Sequence, residues 1–224
     1  ITISLGIGTK NLPSDQIKEA LKQAENDMYH KKTIENQLIR DRLFTSLKLK
    51  YWEVKKLFQK EGNTENLLYH HQLGERLLLD QQAINELLLL AALHDVGKIT
   101  IPLHLLLKKE PLTLSEKLTL KRIPEISHRI LQYFPNTFSI ADAALSYCEW
   151  WDGSGYPRGL AKENIPMISR ISSVVNSYDL MIQPRPYKNP LAPKEALTEI
   201  HNQSGKQFDP EVVKSFLKMM KEKA

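Results

Sequence analysis

Between Ile84 and Leu93 the chain reads INELLLLAAL, apolar at every position except Asn85 and Glu86. A helix with leucine on nearly every side has no polar face for solvent, so other elements must surround it. The run is far shorter than the ~18 apolar residues of a membrane span. A chain built on this segment is therefore expected to fold as a helical bundle with Ile84–His94 at its centre. The segment ends in His94-Asp95, and Gly97 and Lys98 follow within three residues.

Adjacent His and Asp at the end of an apolar helix offer a nitrogen and a carboxylate ligand to one metal ion. In phosphoester hydrolases a bridging carboxylate commonly places a second metal about 3.5–4 Å away. Lys98, at i+3 from Asp95, can reach a phosphate, or can form an ordinary ion pair with Asp95 along one helix face. Both readings stand on this stretch alone.

Composition narrows the classes. The chain has 224 residues, 42% hydrophobic and 25% charged, which is the balance of a soluble globular protein. The net charge of +5 comes from interleaved acidic and basic residues with no basic block. That suits an anionic small ligand and argues against a nucleic-acid polymer as partner. The single cysteine, Cys148, excludes an internal disulfide and fits a reducing compartment such as the cytoplasm. No membrane contact is expected in this segment.

Ile1–Thr9 (ITISLGIGT) alternates apolar and small residues and predicts a strand running into a turn. Ser14 is a candidate N-cap for an amphipathic helix over Gln16–Lys32, with Ile17, Ala20, Leu21, Ala24 and Met28 on one face. One strand and one helix cannot bury their own faces, so this segment reads as the tail of a neighbouring domain. Thr33–Lys60 predicts a connecting helix, interrupted or not, with Ile34, Leu38, Leu43, Leu47, Trp52 and Leu57 as its apolar positions. Glu61–Thr64 breaks it, and Asn63 or Thr64 caps the next helix. Thr113 with Glu116 predicts a capping box, Pro124 and Pro135 frame a helix, and Ile140–Trp151 predicts another. Helices over Pro166–Met181, Pro193–Asn202 and Asp209–Lys221 close the chain, with Asp209 as N-cap before Pro210.

Two resemblances follow from particular residues. The strand TISLGIG, followed by a helix ending Ala24-Glu25-Asn26-Asp27-Met28-Tyr29-His30-Lys31-Lys32, resembles the end of a GGDEF diguanylate cyclase domain. The loop that names that family lies outside these residues, so no cyclase activity is implied. From about Gly62 to Leu217 the chain resembles an HD-GYP domain, the family of cyclic di-GMP phosphodiesterases. The matching runs are HDVGKITIP (94–102), EWWDGSGYPRGL (149–160), IPMISRI (165–171), YDLM (178–181), RPYK (185–188) and GKQFDPEVV (205–213). Together they imply an all-α chain: an HD-type bundle of about seven helices over 61–224, a connecting helix over 33–60, and a strand–helix remnant of a GGDEF α/β domain over 1–32.

The HD-GYP resemblance also implies a catalytic cluster of two or three metals, usually iron or manganese. Carried over position by position, the ligand set survives only as His94 and Asp95. Asn63, Ile123, Tyr147, Cys148 and Asn176 stand where the family has His, His, two successive His, and Asp. Ile123 has no lone pair. Asn176 has no charge with which to bridge two cations. Tyr147 is a poor ligand until ionised, near pH 10. The expectation is therefore no cofactor, or at most a single Fe, Mn or Zn ion on His94, Asp95 and Cys148, with Cys148 otherwise a buried inert thiol. His70 and His71 can compensate only if the register slips, and His128, at i+5 from Ile123, faces elsewhere.

Lys98, Arg185 and Lys188 match basic positions that face the dinucleotide's phosphates in the family. Gly155 and Tyr156 belong to the turn that gives the family its name. Trp150 and Trp151 either stack on a base or pack in the core. Three readings remain: an inactive regulatory module that meets GGDEF domains or a second copy of itself, a cyclic di-GMP receptor that does not cleave, and a hydrolase with a reduced metal site in which Lys98 serves catalysis.

Overall fold

A computed structural model describes residues 4–9, 17–56, 64–183 and 189–223. Asn63, Arg185 and Lys188, together with the expected Ser14 cap and the Glu61–Asn63 break, lie outside the described residues. The chain divides into two compact units, Ile1–Lys50 and Tyr51–Ala224.

Helix α1 (Ile17–Lys56) is 40 residues long; residues 17–50 belong to the first unit and residues 51–56 to the second. Its sequence contains neither Gly nor Pro, so nothing local stops it. The strand expected over Ile1–Thr9 is not formed in its described part. Residues 4–9 are irregular, because a strand needs a ladder partner and none exists among the described residues. Instead they lie along α1. The Ile7 amide donates to Asp27 at 3.0 Å and the Ser4 hydroxyl to Glu35 at 2.8 Å. Lys31 and the Ile7 amide hold the Asp27 carboxyl below its usual range. Gly6 and Gly8 permit this approach, since a Cβ on either would fall within 2 Å of the Ala24 or Ala20 carbonyl oxygen.

The second unit is the helical bundle. After α1, seven helices of eight residues or more appear among the described residues. They are α2 (Thr64–Arg76), α3 (Gln81–Leu93), α5 (Leu114–Lys121), α6 (Ile123–Tyr133), α8 (Met167–Ile182), α9 (Pro193–Asn202) and α10 (Pro210–Lys221). Two short ones, α4 (Leu103–Leu106) and α7 (Ala141–Leu145), join them. The expected capping box is present: the Thr113 hydroxyl accepts from the Glu116 amide, and Glu116 accepts from the Thr113 amide. Asp209 caps α10 with Pro210 at its first position. The helix expected over Ile140–Trp151 is cut short at Cys148. Beyond it the backbone turns away, and the Trp151 and Asp152 amides donate to the Gln207 and Lys206 carbonyls.

As expected, α3 sits deep in the bundle, with Leu87, Leu90 and Leu93 buried. It packs on α2 and α8, and α8 in turn meets α9 and α10. Leu73, Leu87, Ile171, Val174, Val175, Ile200, Val212 and Phe216 join in one core.

The turn after α2 closes with the Leu79 amide on the Gly74 carbonyl and the Leu78 amide on the Glu75 carbonyl, a Schellman pattern. Leu78 takes the left-handed position with φ +56° and is 90% exposed. A side chain costs energy there and the leucine buries nothing in return. Leu78→Gly should therefore stabilise the protein, by roughly 0.5–1 kcal/mol, measured as a higher urea midpoint.

Candidate functional site

The site is built where α3 ends. The His94 amide still closes the helix on the Leu90 carbonyl, and the chain then tightens into a 3₁₀ turn over Val96–Thr100. Gly97 makes the turn possible: a Cβ there would sit 2.7 Å from the Ile123 carbonyl oxygen. Its amide donates to the buried Ser127 hydroxyl at 2.9 Å. These contacts bring the start of α6, and with it Ile123, against the His-Asp turn.

Asp95 is buried at the centre of the cluster, and both of its oxygens are engaged. Lys98 Nζ lies 2.5 Å from Oδ2. Tyr51 Oη lies 2.5 Å from Oδ1 and 2.9 Å from the Ala92 carbonyl. Tyr51 comes from the last turns of α1 and is 1% exposed. Burial, reinforced by the neighbouring Asp95 charge, pushes its hydroxyl well above the ordinary tyrosine range, so it keeps its proton and donates. His94 Nδ1 lies 3.3 Å from the Ala91 carbonyl. Nε2 is 3.9 Å from Asp95 Oδ1.

Tyr147 and Cys148 close the other side. The Tyr147 ring stacks at a tilt on His94, with centroids 4.4 Å apart. Burial raises the Cys148 thiol, and the Tyr156 hydroxyl hydrogen-bonds to it. The Tyr156 amide donates to the Cys148 carbonyl at 3.2 Å, and Lys121 Nζ lies 5.0 Å from the Tyr156 ring centre. Asn176 faces a different neighbour: its side-chain oxygen accepts from Asn66 Nδ2 at 3.1 Å, in the buried interface of α2 and α8.

The loop from Glu149 to Leu160 is fixed by its own residues. Glu149 is 3% exposed and accepts from the Arg158 amide at 2.7 Å and the Leu160 amide at 3.1 Å. Asp152 accepts from the Ser154 amide at 2.9 Å and its hydroxyl at 2.6 Å. The close approach that Gly155 permits is to the chain itself: a Cβ would fall 2.2 Å from the Trp150 nitrogen. Trp151 packs against the Arg170 guanidinium, 5.7 Å away, while Arg170 pairs with the buried Asp209 at 2.6 Å.

The expected pair His94 and Asp95 is thus joined by Lys98, Tyr147, Cys148, Tyr156 and Ile123. Tyr51 and Asn66 are residues that the motif reading missed. The signal for Tyr51 is the i, i+3, i+7, i+10 spacing of Phe44, Leu47, Tyr51 and Val54, the residues of that stretch of α1 that are partly or fully buried. Leu43 and Trp52, expected on the apolar face, are 48% and 45% exposed.

These side chains do not fit a two-metal centre. Among the described residues no group of three or more His, Cys, Asp and Glu is placed to hold a metal ion. Asp95 already receives an ammonium and a hydroxyl proton on its two oxygens. Cys148 is a single sulfur donor, and its burial raises the cost of forming the thiolate that a metal ligand must be. Ile123 and the Asn66-bonded Asn176 add no anionic donor.

A family model described as "HD domain" matches residues 34–212. The chain belongs to the HD domain family. Its relatives include a cyclic di-GMP phosphodiesterase of Thermotoga maritima, 43% identical over 153 residues, which cover 67% of this chain and 42% of that protein. They also include the cyclic di-GMP phosphodiesterase response regulator RpfG of Xanthomonas campestris, 39% identical over 147 residues, covering 65% of this chain and 39% of that protein. The chain thus spans less than half the length of these curated relatives. Among solved structures, an HDG"Y"P protein from Bdellovibrio bacteriovorus aligns with a TM-score of 0.55 at 20% identity, covering 70% of this chain and 50% of that one. That likeness concerns the fold of this HD domain alone. No helix among the described residues is long and apolar enough to cross a membrane.

Proposed function

We propose that this HD domain is a degenerate module of the HD-GYP type that does not hydrolyse cyclic di-GMP and serves regulation or protein interaction in a bacterial cytoplasmic signalling protein. The observation that carries this reading is the closed environment of Asp95. The carboxylate expected to bridge two cations instead accepts hydrogen bonds from Lys98 and Tyr51. Phosphodiester cleavage by this fold's chemistry needs a metal-activated hydroxide, and barrier reductions of many kcal/mol rest on it. Lys98, one of the three basic residues expected to meet phosphates, is paired with Asp95. This also disfavours the receptor reading for the described part of the site. The N-terminal segment's likeness to a GGDEF end makes such domains, or a second copy, the natural partners.

The test is turnover of cyclic di-GMP by the purified protein with Mn²⁺ or Fe²⁺ supplied. No linear dinucleotide or GMP is expected above the buffer control. Hydrolysis that disappears in Asp95→Ala would overturn the reading.

A further inference from the structure

The buried Tyr51–Asp95 contact joins two pieces of chain that lie 44 positions apart. Tyr51 belongs to the end of the 40-residue helix α1, and Asp95 to the turn after the central helix α3. Most apolar side chains along α1 are exposed, including Leu38, Leu43, Leu49 and Trp52, whereas Tyr51 is 1% exposed. Its hydroxyl meets the Ala92 carbonyl and one Asp95 oxygen, and Lys98 occupies the other. The end of α1 thus meets the carboxylate of the His-Asp motif through Tyr51.

We propose that Tyr51 is a positioning residue that latches the last turns of α1 to Asp95, so that the seating of this helix and the occupancy of the old catalytic carboxylate depend on each other. The proposal rests on the reading that Asp95 is not a metal ligand, because a cation on Oδ1 would displace the Tyr51 proton. Coupling of this kind is reciprocal: a partner that captures Asp95 releases the helix, and a pull on the helix uncovers Asp95. This gives a domain without a working metal cluster a way to couple residues 51–56 to the state of Asp95.

Backbone hydrogen exchange on the whole chain tests it. In Tyr51→Phe the ring still fills its site, so a packing role alone predicts unchanged protection over residues 51–56. The latch predicts that protection there falls about tenfold, as expected for loss of a hydrogen bond to a charged group, with α8 and α10 unchanged. Asp95→Asn should loosen the same amides to a smaller extent. Wild-type protection at 51–56 in both variants would overturn the latch. Adding Mn²⁺ to the unsubstituted protein separates the two claims. Unchanged protection supports a closed carboxylate. Release of 51–56 by bound Mn²⁺ refutes the metal-free reading, while the Tyr51→Phe result still decides the latch.

Discussion

Asp95→Ala is expected to lower the unfolding free energy by about 3 kcal/mol, read as a reduced urea midpoint at unchanged slope. The substitution removes the acceptor for two donors at once. The Tyr51 hydroxyl is buried and loses its charged acceptor, while the Ala92 carbonyl stays within reach. The Lys98 ammonium, with about a third of its side chain exposed, loses its counter-charge but can turn partly to water, which limits the cost. Asp95→Asn retains an acceptor oxygen and should cost roughly half as much. The direction is informative. A carboxylate kept for cation binding, with no cation present, is a local liability, and its removal costs little or stabilises. A carboxylate that holds Tyr51 and Lys98 together is a structural member, and its removal is felt.

Gly155→Ala is expected to be at least as damaging, about 3 kcal/mol or more. The added methyl would lie 2.2 Å from the Trp150 nitrogen and 2.5 Å from Glu149 Cα, both backbone atoms that cannot rotate aside. The loop must open, and opening it strips Glu149 from the Arg158 and Leu160 amides, leaving a buried carboxylate without its donors. Gly153→Ala is the control. Gly153 adopts φ +84°, and the nearest atom to an added Cβ is a side-chain methyl at 3.2 Å. The backbone preference is lost there, about 1 kcal/mol, and the Ala161 methyl has to yield by only a few tenths of an ångström. Thermal or urea unfolding of the two variants should separate them clearly.

How much of this could be read from residues alone depended on the range of the interaction. Local signals transferred well. The all-round leucines of α3 required a buried position and found one, and the Thr113–Glu116 and Asp209–Pro210 signatures mark helix starts. The course of residues 4–9 was missed because alternation specifies a face and not a partner, and those residues pair with α1 side chains instead. The helix expected to continue to Trp151 ends early because tertiary hydrogen bonds to the 206–207 carbonyls take over its last residues. Tyr51 was hidden for a related reason. It sits in a highly charged helix where Trp52 looked the better core residue, and its acceptor is remote in sequence. The motifs mark His94 and Asp95, but Tyr51 lies 44 positions from Asp95, so no motif spacing records that its hydroxyl meets this carboxylate.

The most direct test of that account is the metal content of the purified protein, measured by inductively coupled plasma mass spectrometry after equilibration with Fe²⁺, Mn²⁺ and Zn²⁺ and removal of the excess. The account predicts far less than one equivalent of any of them, with the same value in Asp95→Ala. Two equivalents of a divalent metal per chain, lost when Asp95 is replaced, would contradict it.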